Sequence, residues 1–268
     1  MLRLPAVAGR FYPSQAEELR KLVRQCAVAE PGAARARVRA CLVPHAGYFY
    51  SGAVAGAVYA RIELPRRMVL LGVRHQPRGA NAAILSSGAW RTPLGDAPVD
   101  AALAATLRAA CPLLREDEVA HRSEHSLEVQ LPFLQVLASG FSFVPLTLGA
   151  LRFEEWAQIG EGLGKVLAAE PDVLLVTTSD LNHYEDDATA RVKDGMAVER
   201  LLALDARGLS EVCIREEISM CGLGPAVALL TALGALKAAQ AELVRYATSA
   251  EASGDRSVVV GYAGMVFG

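Results

Sequence analysis

The stretch DVLLVTTSDLNHY, residues 172–184, contains the clearest strand in the sequence, and its pattern decides the fold. An apolar run of this length, closed by polar residues, is typical of a buried strand. Two similar runs, VRACLV at 38–43 and RMVLLGV at 67–73, are separated from it by helical patterns. Apolar strands that alternate with helices predict an α/β fold of three layers, with a largely buried central sheet flanked by helices. No Gly-, Pro- or Ser-rich stretch divides the chain, so we expect residues 1–268 to form a single domain.

The composition excludes several classes of partner. Of the 268 residues, 52% are hydrophobic and 21% charged, and the net charge of -2 provides no general attraction to nucleic acid or to an anionic membrane. The sequence shows neither a signal peptide at its start nor an apolar stretch of the roughly 18 residues that a transmembrane helix needs. The five cysteines are odd in number and widely spread, which favours reduced thiols. We therefore expect a cytoplasmic protein that acts on a small molecule or peptide. The Ala-rich stretch at 29–40 is expected to be a connection on the surface.

Three of the five histidines follow strand-like runs: His45, His75 and His183. Ligand sites in open α/β sheets collect beyond the carboxyl ends of the strands, so loops of this kind can bring distant imidazoles together. On placement alone, a shared metal or acid–base site and independent loop histidines remain equal alternatives. The sequence contains no HExxH or Cys/His zinc spacing, so a zinc site is the less expected kind.

Other polar residues are candidates for the same site. Asp180 could fix the tautomer of a histidine or bind a metal, although an Asp in that position also suits a turn or helix cap. In SEHSLE, spacing predicts that Glu124, His125 and Glu128 share one face at the start of a helix, in either a supporting or a purely structural role. Cys221 comes just before a predicted helix, which would lower its pKa; the alternative is a small buried residue.

Several longer motifs, taken together, resemble the Memo family, the B component of the AmmeMemoRadiSam system. They are PHAGYFYSG at 44–52, SEHSLEVQLPFLQ at 123–135, TSDLNHY at 178–184, MCG at 220–222 and ASGDRSVVVGYAG at 252–264. The motifs occur in the order of the family and extend over most of the chain.

The resemblance implies a fold similar to that of class III extradiol ring-cleaving dioxygenases, which hold non-haem iron on two histidines and a carboxylate. Carried over by motif, His45, His75 and Cys221 would be ligands of a redox metal, iron or copper. The resemblance also implies catalytic roles beside the metal for His183, Asp180 and His125. The candidates for the substrate pocket are Tyr48, Arg74 and Tyr184; for the two tyrosines the alternative role is aromatic packing.

The family association further implies a radical-SAM protein and an AMMECR-domain protein as partners. This sequence departs from the family pattern at two positions: Arg74 precedes His75, and Asn182 stands where a cysteine is common. A cation beside His75 disfavours a metal unless it points away, or it could bind an anionic substrate. The alternative function is therefore a non-enzymatic module for peptides, phosphopeptides or other anions that uses the same pocket. A zinc hydrolase is the weakest reading, because the sequence has no nucleophile elbow or zinc-protease motif.

Overall fold

A nine-stranded mixed sheet forms the middle layer of the protein. The computed structural model describes residues 1–28, 35–238 and 240–268; residues 29–34, which begin the predicted surface connection, lie outside the described residues. Eight of the strands follow one another across the sheet in the order β10 (His183–Glu185), β12 (Val259–Phe267), β2 (Ala40–Val43), β9 (Val173–Thr178), β3 (Arg67–Val73), β8 (Ser142–Leu148), β4 (Ala82–Ile84) and β7 (Arg115–Glu116). The ninth strand, β11 (Ala241–Thr248), pairs with β12. The four strands β2, β9, β3 and β8 are parallel, and β12 and β4 flank them in antiparallel orientation.

Helices cover both faces of this sheet. One face packs against α1 (Ala16–Cys26), α2 (Tyr48–Arg61) and α5 (Leu131–Leu137). The other packs against α3 (Ala101–Ala110), α6 (Phe153–Ala169), α7 (Asp187–Leu202), α8 (Ala206–Arg215) and α9 (Leu223–Ala235). Two short helices, α4 (Glu118–Arg122) and α10 (Ala250–Ser253), lie in connecting segments. Within the described ranges, no helix is long and apolar enough to cross a membrane.

Strand β3 shows why the sequence produces three layers. Side chains alternate between the faces of a strand, so Val69 and Leu71 enter the core on one side of the sheet while Met68 and Leu70 enter the core on the other. All four are fully buried, which is why the strand is an unbroken apolar run. The predicted α/β three-layer fold is confirmed.

A small second sheet lies beside the large one. β5 (Ala89–Thr92) and β6 (Gly95–Pro98) form a hairpin that joins β1 (Leu2–Arg3), whereas β4 belongs to the large sheet. Pro132 lies in the first turn of α5, where its missing N–H is no loss, after a separate 3₁₀ turn at Glu128–Gln130.

Candidate metal centre

Three histidines converge beyond the carboxyl ends of the parallel strands. His45 and His75 each lie two residues past the end of their strand, β2 and β3, and His125 comes from the loop before the 3₁₀ turn. Their ligand nitrogens all lie within 4.8 Å of one another. The ring centroids of His75 and His125 are 4.5 Å apart, and that of His45 is 5.2 Å from the His75 ring. Three imidazole nitrogens at this spacing could share one metal ion.

Cys221 places a sulfur beside His45, next to the set of three histidines. Its Sγ lies 3.2 Å from Nε2 of His45, and the backbone N–H of Asp180 donates to it at 3.3 Å. The expectation that a helix start lowers the pKa of this thiol was wrong: α9 begins two residues later, but burial raises the pKa, and the nearby Asp180 raises it further. Without a metal the group is therefore a thiol, and it offers a thiolate donor once its proton is lost.

Two neighbours hold the ring of His45. Burial lowers the pKa of His45 to about 3, so the ring is neutral. Its Nδ1 lies 2.9 Å from Oγ1 of Thr178, and its Nε2 lies 3.2 Å from the Cys221 sulfur. Nε2 is therefore the nitrogen left for a metal.

Glu124 holds His75 from behind. Its Oε1 accepts from Nδ1 of His75 at 2.9 Å, and its Oε2 accepts from the backbone N–H of the same residue at 2.6 Å. Burial alone would raise the pKa of this carboxyl, but the hydrogen bond from His75, the charge interactions with His75 and His125 and the N–H of Ser126 together outweigh burial, and the pKa falls to about 2. A carboxylate that accepts from one ring nitrogen leaves the other free to bind a metal, which is the usual support of a metal-bound histidine.

The expectation of one helical face at SEHSLE was wrong. Glu124 accepts from the backbone N–H groups of His125 and Ser126, so its carboxylate closes a local turn in place of a helical one. The helical turn begins only at Glu128, and that side chain faces the N-terminal segment, where it accepts from Nη1 of Arg3 at 2.8 Å. Glu128 also accepts from the backbone N–H groups of Ala6 and Val7 and from the hydroxyl of Tyr12.

The structure brings Asp180 and His183 close to the cluster. Asp180 lies two residues past the end of β9, and its Oδ1 accepts from the backbone N–H of His45 at 2.8 Å. Burial raises the pKa of Asp180 above its ordinary value. His183 is partly exposed, and its Nδ1 donates to the carbonyl oxygen of Ser219 at 3.0 Å. Nδ1 is therefore occupied by Ser219, and Nε2 is the nitrogen that remains available to a substrate.

The three expected pocket residues lie in different surroundings. Tyr48 is buried, with its ring stacked on Phe133 and its hydroxyl donating to the carbonyl oxygen of Val129 at 2.6 Å. Arg74 donates to the carbonyl oxygen of Gln76 at 2.7 Å and to the side chain of Asn81. Tyr184 is 80% exposed. Hydrogen bonds thus direct Tyr48 and Arg74 to groups outside the histidine cluster.

Known proteins match this chain over its whole length. The family profile described as Memo-like protein covers residues 3–266. The MEMO1 family protein of Methanopyrus kandleri is 41% identical, over 100% of this chain and 99% of the relative. The relative from Aquifex aeolicus is also 41% identical, over 99% of both chains. The chain belongs to the Memo family.

A solved structure supports the same fold for this Memo-family chain. The crystal structure of an uncharacterized protein from Escherichia coli K12 superposes with a TM-score of 0.55 and covers 86% of this chain and 100% of that one. The two sequences are 12% identical, so the likeness concerns the arrangement of strands and helices alone.

A cleft of about 820 Å³ opens beside the histidine cluster of the Memo-family protein. His125 forms part of both, and Phe11 packs against its ring with centroids 4.9 Å apart. The N-terminal segment 1–7 lines one side of the cleft, and the charged residues Arg10, Arg122 and Glu118 also line it. The cleft is a route by which a ligand could reach the cluster, and the two arginines favour an anionic one.

Two supporting residues, Thr178 and Ser219, were not identified from the sequence. Thr178 ends β9 and pairs in register with Val43, so it lies beside the residues that lead to His45. That register was the signal that could have found it. Ser219 lies on a loop far away in the chain, and no spacing in the sequence connects it with His183.

Proposed function

We propose that this Memo-family protein is a metal-dependent redox enzyme, related to class III extradiol dioxygenases, that holds non-haem iron or copper. The observation that supports this most is the convergence of His45, His75 and His125 within 4.8 Å, with the Cys221 sulfur 3.2 Å from the first ring. Imidazole is a borderline ligand and thiolate a soft one, which suits iron and copper better than magnesium or calcium. Zinc fits the ligand types as well, but without a zinc spacing motif it is the weaker candidate.

The state of each ligand supports metal binding. His45 is neutral and presents Nε2 to the cluster, and burial lowers the pKa of His125 to about 4, so that ring is neutral too. Glu124 supports His75. We assign His45, His75 and Cys221 as the ligands, with His125 beside them as a further donor. Iron or copper held there would supply one-electron redox chemistry.

The other residues of the chain have roles in binding and proton transfer. His183, with a free Nε2, would take a proton from a substrate hydroxyl and return it later in the reaction. Asp180 holds the backbone of His45 in place, because its carboxylate accepts from that residue's N–H. His125 lines the cleft, so a substrate that entered by the cleft would meet the His125 ring.

Family membership also supports the proposed partners, a radical-SAM protein and an AMMECR-domain protein, and a cytoplasmic location. The substrate would then be a small molecule or a segment of a peptide. These assignments rest on the family and not on a contact in the structure.

The test is the metal content of the purified protein after anaerobic reconstitution with Fe(II) or Cu(I). We expect close to one equivalent in the wild type and a large loss in His45→Ala and Cys221→Ser. His121→Asn is the matched control, because His121 is a histidine outside the cluster. A wild-type protein that binds neither metal, or a His45→Ala variant that keeps its metal, would refute the proposal.

The cleft supports a second candidate, a binding module for anionic peptides. Arg74 was expected to pair with a phosphate, but its guanidinium binds Gln76 and Asn81, so Arg10 and Arg122 take that place in the hypothesis. Titration calorimetry with a phosphotyrosine peptide tests it. Heat that disappears in an Arg10→Ser, Arg122→Ser variant would support the module, and its absence in the wild type would exclude it.

A further inference from the structure

Two loops of the site lie side by side and are joined at both ends. We call residues 179–183 the Asp180 loop and residues 219–222 the Cys221 loop. At the inner end, the backbone N–H of Gly222 donates to Oγ of Ser179 at 2.9 Å, and the N–H of Asp180 donates to the Cys221 sulfur. At the outer end, the connection is made by the side chain of Asn182.

Asn182 is buried, and both halves of its amide have partners. Its Oδ1 accepts from the backbone N–H of Ser219 at 3.0 Å and from the Ser219 hydroxyl at 3.1 Å, while Nδ2 donates to the carboxylate of Glu185. The backbone N–H of Asn182 donates to Oδ1 of Asp194 at 2.8 Å. Ser219 donates on one side of the amide and the Glu185 carboxylate accepts on the other. Only one orientation of the amide therefore satisfies both partners.

Ser219 transmits this contact to His183. Its hydroxyl accepts from the backbone N–H of His183 at 2.8 Å, and its carbonyl oxygen accepts from Nδ1 of the ring at 3.0 Å. Ser219, which is held by Asn182, therefore also sets the tautomer and the orientation of the His183 ring. Cys221 follows Ser219 by two residues, so the same contact fixes the start of the loop that carries the sulfur.

We propose that Asn182 is a positioning residue: through Ser219 it aligns the His183 ring and the Cys221 sulfur as one unit. The roles of His183 and Cys221 rest on the proposed function, but the alignment is a property of the protein without metal. Replacing Asn182 by alanine leaves the N–H of Ser219 without its acceptor and Oε2 of Glu185 without its donor, while Lys193 still donates to Oε1 of Glu185. The two loops can then separate at the outer end.

The test compares Asn182→Ala with two other variants in the metal-free protein. Asn182→Asp keeps the acceptor for Ser219 but turns an oxygen toward Glu185 in place of the donor, so one of the two carboxyl groups must hold a proton for that contact to survive. Thr92→Val is the control, because it removes another buried hydroxyl, one that bonds to Gln135 beside the small sheet. The first readout is the ¹⁵N NMR spectrum of the His183 ring, which reports its tautomer. The second is the rate at which iodoacetamide alkylates Cys221, followed by peptide mass spectrometry.

In the wild type and in Thr92→Val we expect the Nδ1–H tautomer of His183 and slow alkylation of Cys221. In Asn182→Ala we expect a mixture of tautomers and alkylation faster by about tenfold, as the loss of one or two net hydrogen bonds predicts. Asn182→Asp should keep the tautomer, because its acceptor remains. This rescue separates positioning from a general loss of stability.

An Asn182→Ala protein with the wild-type tautomer and an alkylation rate equal to that of Thr92→Val would overturn the proposal. Should this variant not fold, Ser219→Ala decides with the same readouts, because it removes the hydroxyl that contacts both Asn182 and His183. Neither readout uses a metal. A wild type that binds no iron or copper would therefore refute the proposed function and leave the test of Asn182 intact.

Discussion

Replacing Glu124 by glutamine should release His75 and weaken the metal centre. The carboxylate accepts four hydrogen bonds, two from His75 and one each from the backbone N–H groups of His125 and Ser126. Glutamine has the same size but only one oxygen. Its NH₂ group would face the backbone N–H or the ring N–H of His75, so two donors would meet in a buried place.

The pKa of Glu124 provides the size of the effect on stability. The value falls from 4.5 to about 2 on folding, so the carboxylate contributes stability above pH 4.5 that is lost as the pH falls through about 2. At about 1.36 kcal/mol per pH unit, the contribution at neutral pH is about 3 kcal/mol. Loss of the group behind a metal-bound histidine typically lowers metal affinity by about 10- to 100-fold.

Two measurements at pH 7 check this prediction: urea unfolding of the metal-free protein and a competition titration with Fe(II) or Cu(I). Glu154→Gln is the matched control, because Glu154 is an exposed acid in the first turn of α6, and its replacement should change stability by no more than about 0.5 kcal/mol. A Glu124→Gln protein as stable as this control, with unchanged metal affinity, would show that Glu124 does not hold His75.

Two further outcomes follow from buried carboxylates away from the centre. Glu128→Ala leaves the guanidinium of Arg3 buried without its partner and should lower the free energy of unfolding by about 3–5 kcal/mol; a loss below about 1 kcal/mol in chemical denaturation would contradict this. Burial raises the pKa of Asp194 from 3.8 to about 6. The folded state therefore holds the proton of Asp194 more tightly than the unfolded state does. The free energy of unfolding is highest below pH 3.8 and falls by about 3 kcal/mol as the pH rises through about 6. Asp194→Asn should not show this fall; unfolding curves for both proteins that change in parallel from pH 3.5 to 7.5 would refute the shift.

The fold could be predicted because a strand that is buried on both faces of a sheet is a continuous apolar run in the sequence. Residues 68–73 are apolar throughout, and the structure places the strand at Arg67–Val73. The order of strands could not be predicted in the same way. β12 lies next to β2 although more than 200 residues separate them, and pairing over that distance leaves no local pattern in the sequence.

The centre could be predicted in part. His45 and His75 each follow a strand by two residues, and their convergence depends only on parallel strands sharing an edge. The direction of Arg74 depends instead on the path of the loop that follows, because its partners are carbonyl oxygens and Asn81. Loop geometry of this kind is set by tertiary contacts. The surroundings of the His75 ring are therefore determined less by Arg74, its neighbour in the chain, than by Glu124, which lies 49 positions away.

The order of strands across the sheet has a consequence for synthesis on the ribosome. β2, which leads to His45, lies between β9 and β12. The first of these neighbours is complete only when residues 173–178 have been synthesised, and the second only when residues 259–267 have been synthesised. Translation proceeds from the amino end at roughly 5–20 residues per second, so for many seconds the nascent chain contains the histidines without the framework that holds them. Under the proposed function, metal present during that time would meet only loose ligands, and selective uptake would belong to the finished polypeptide.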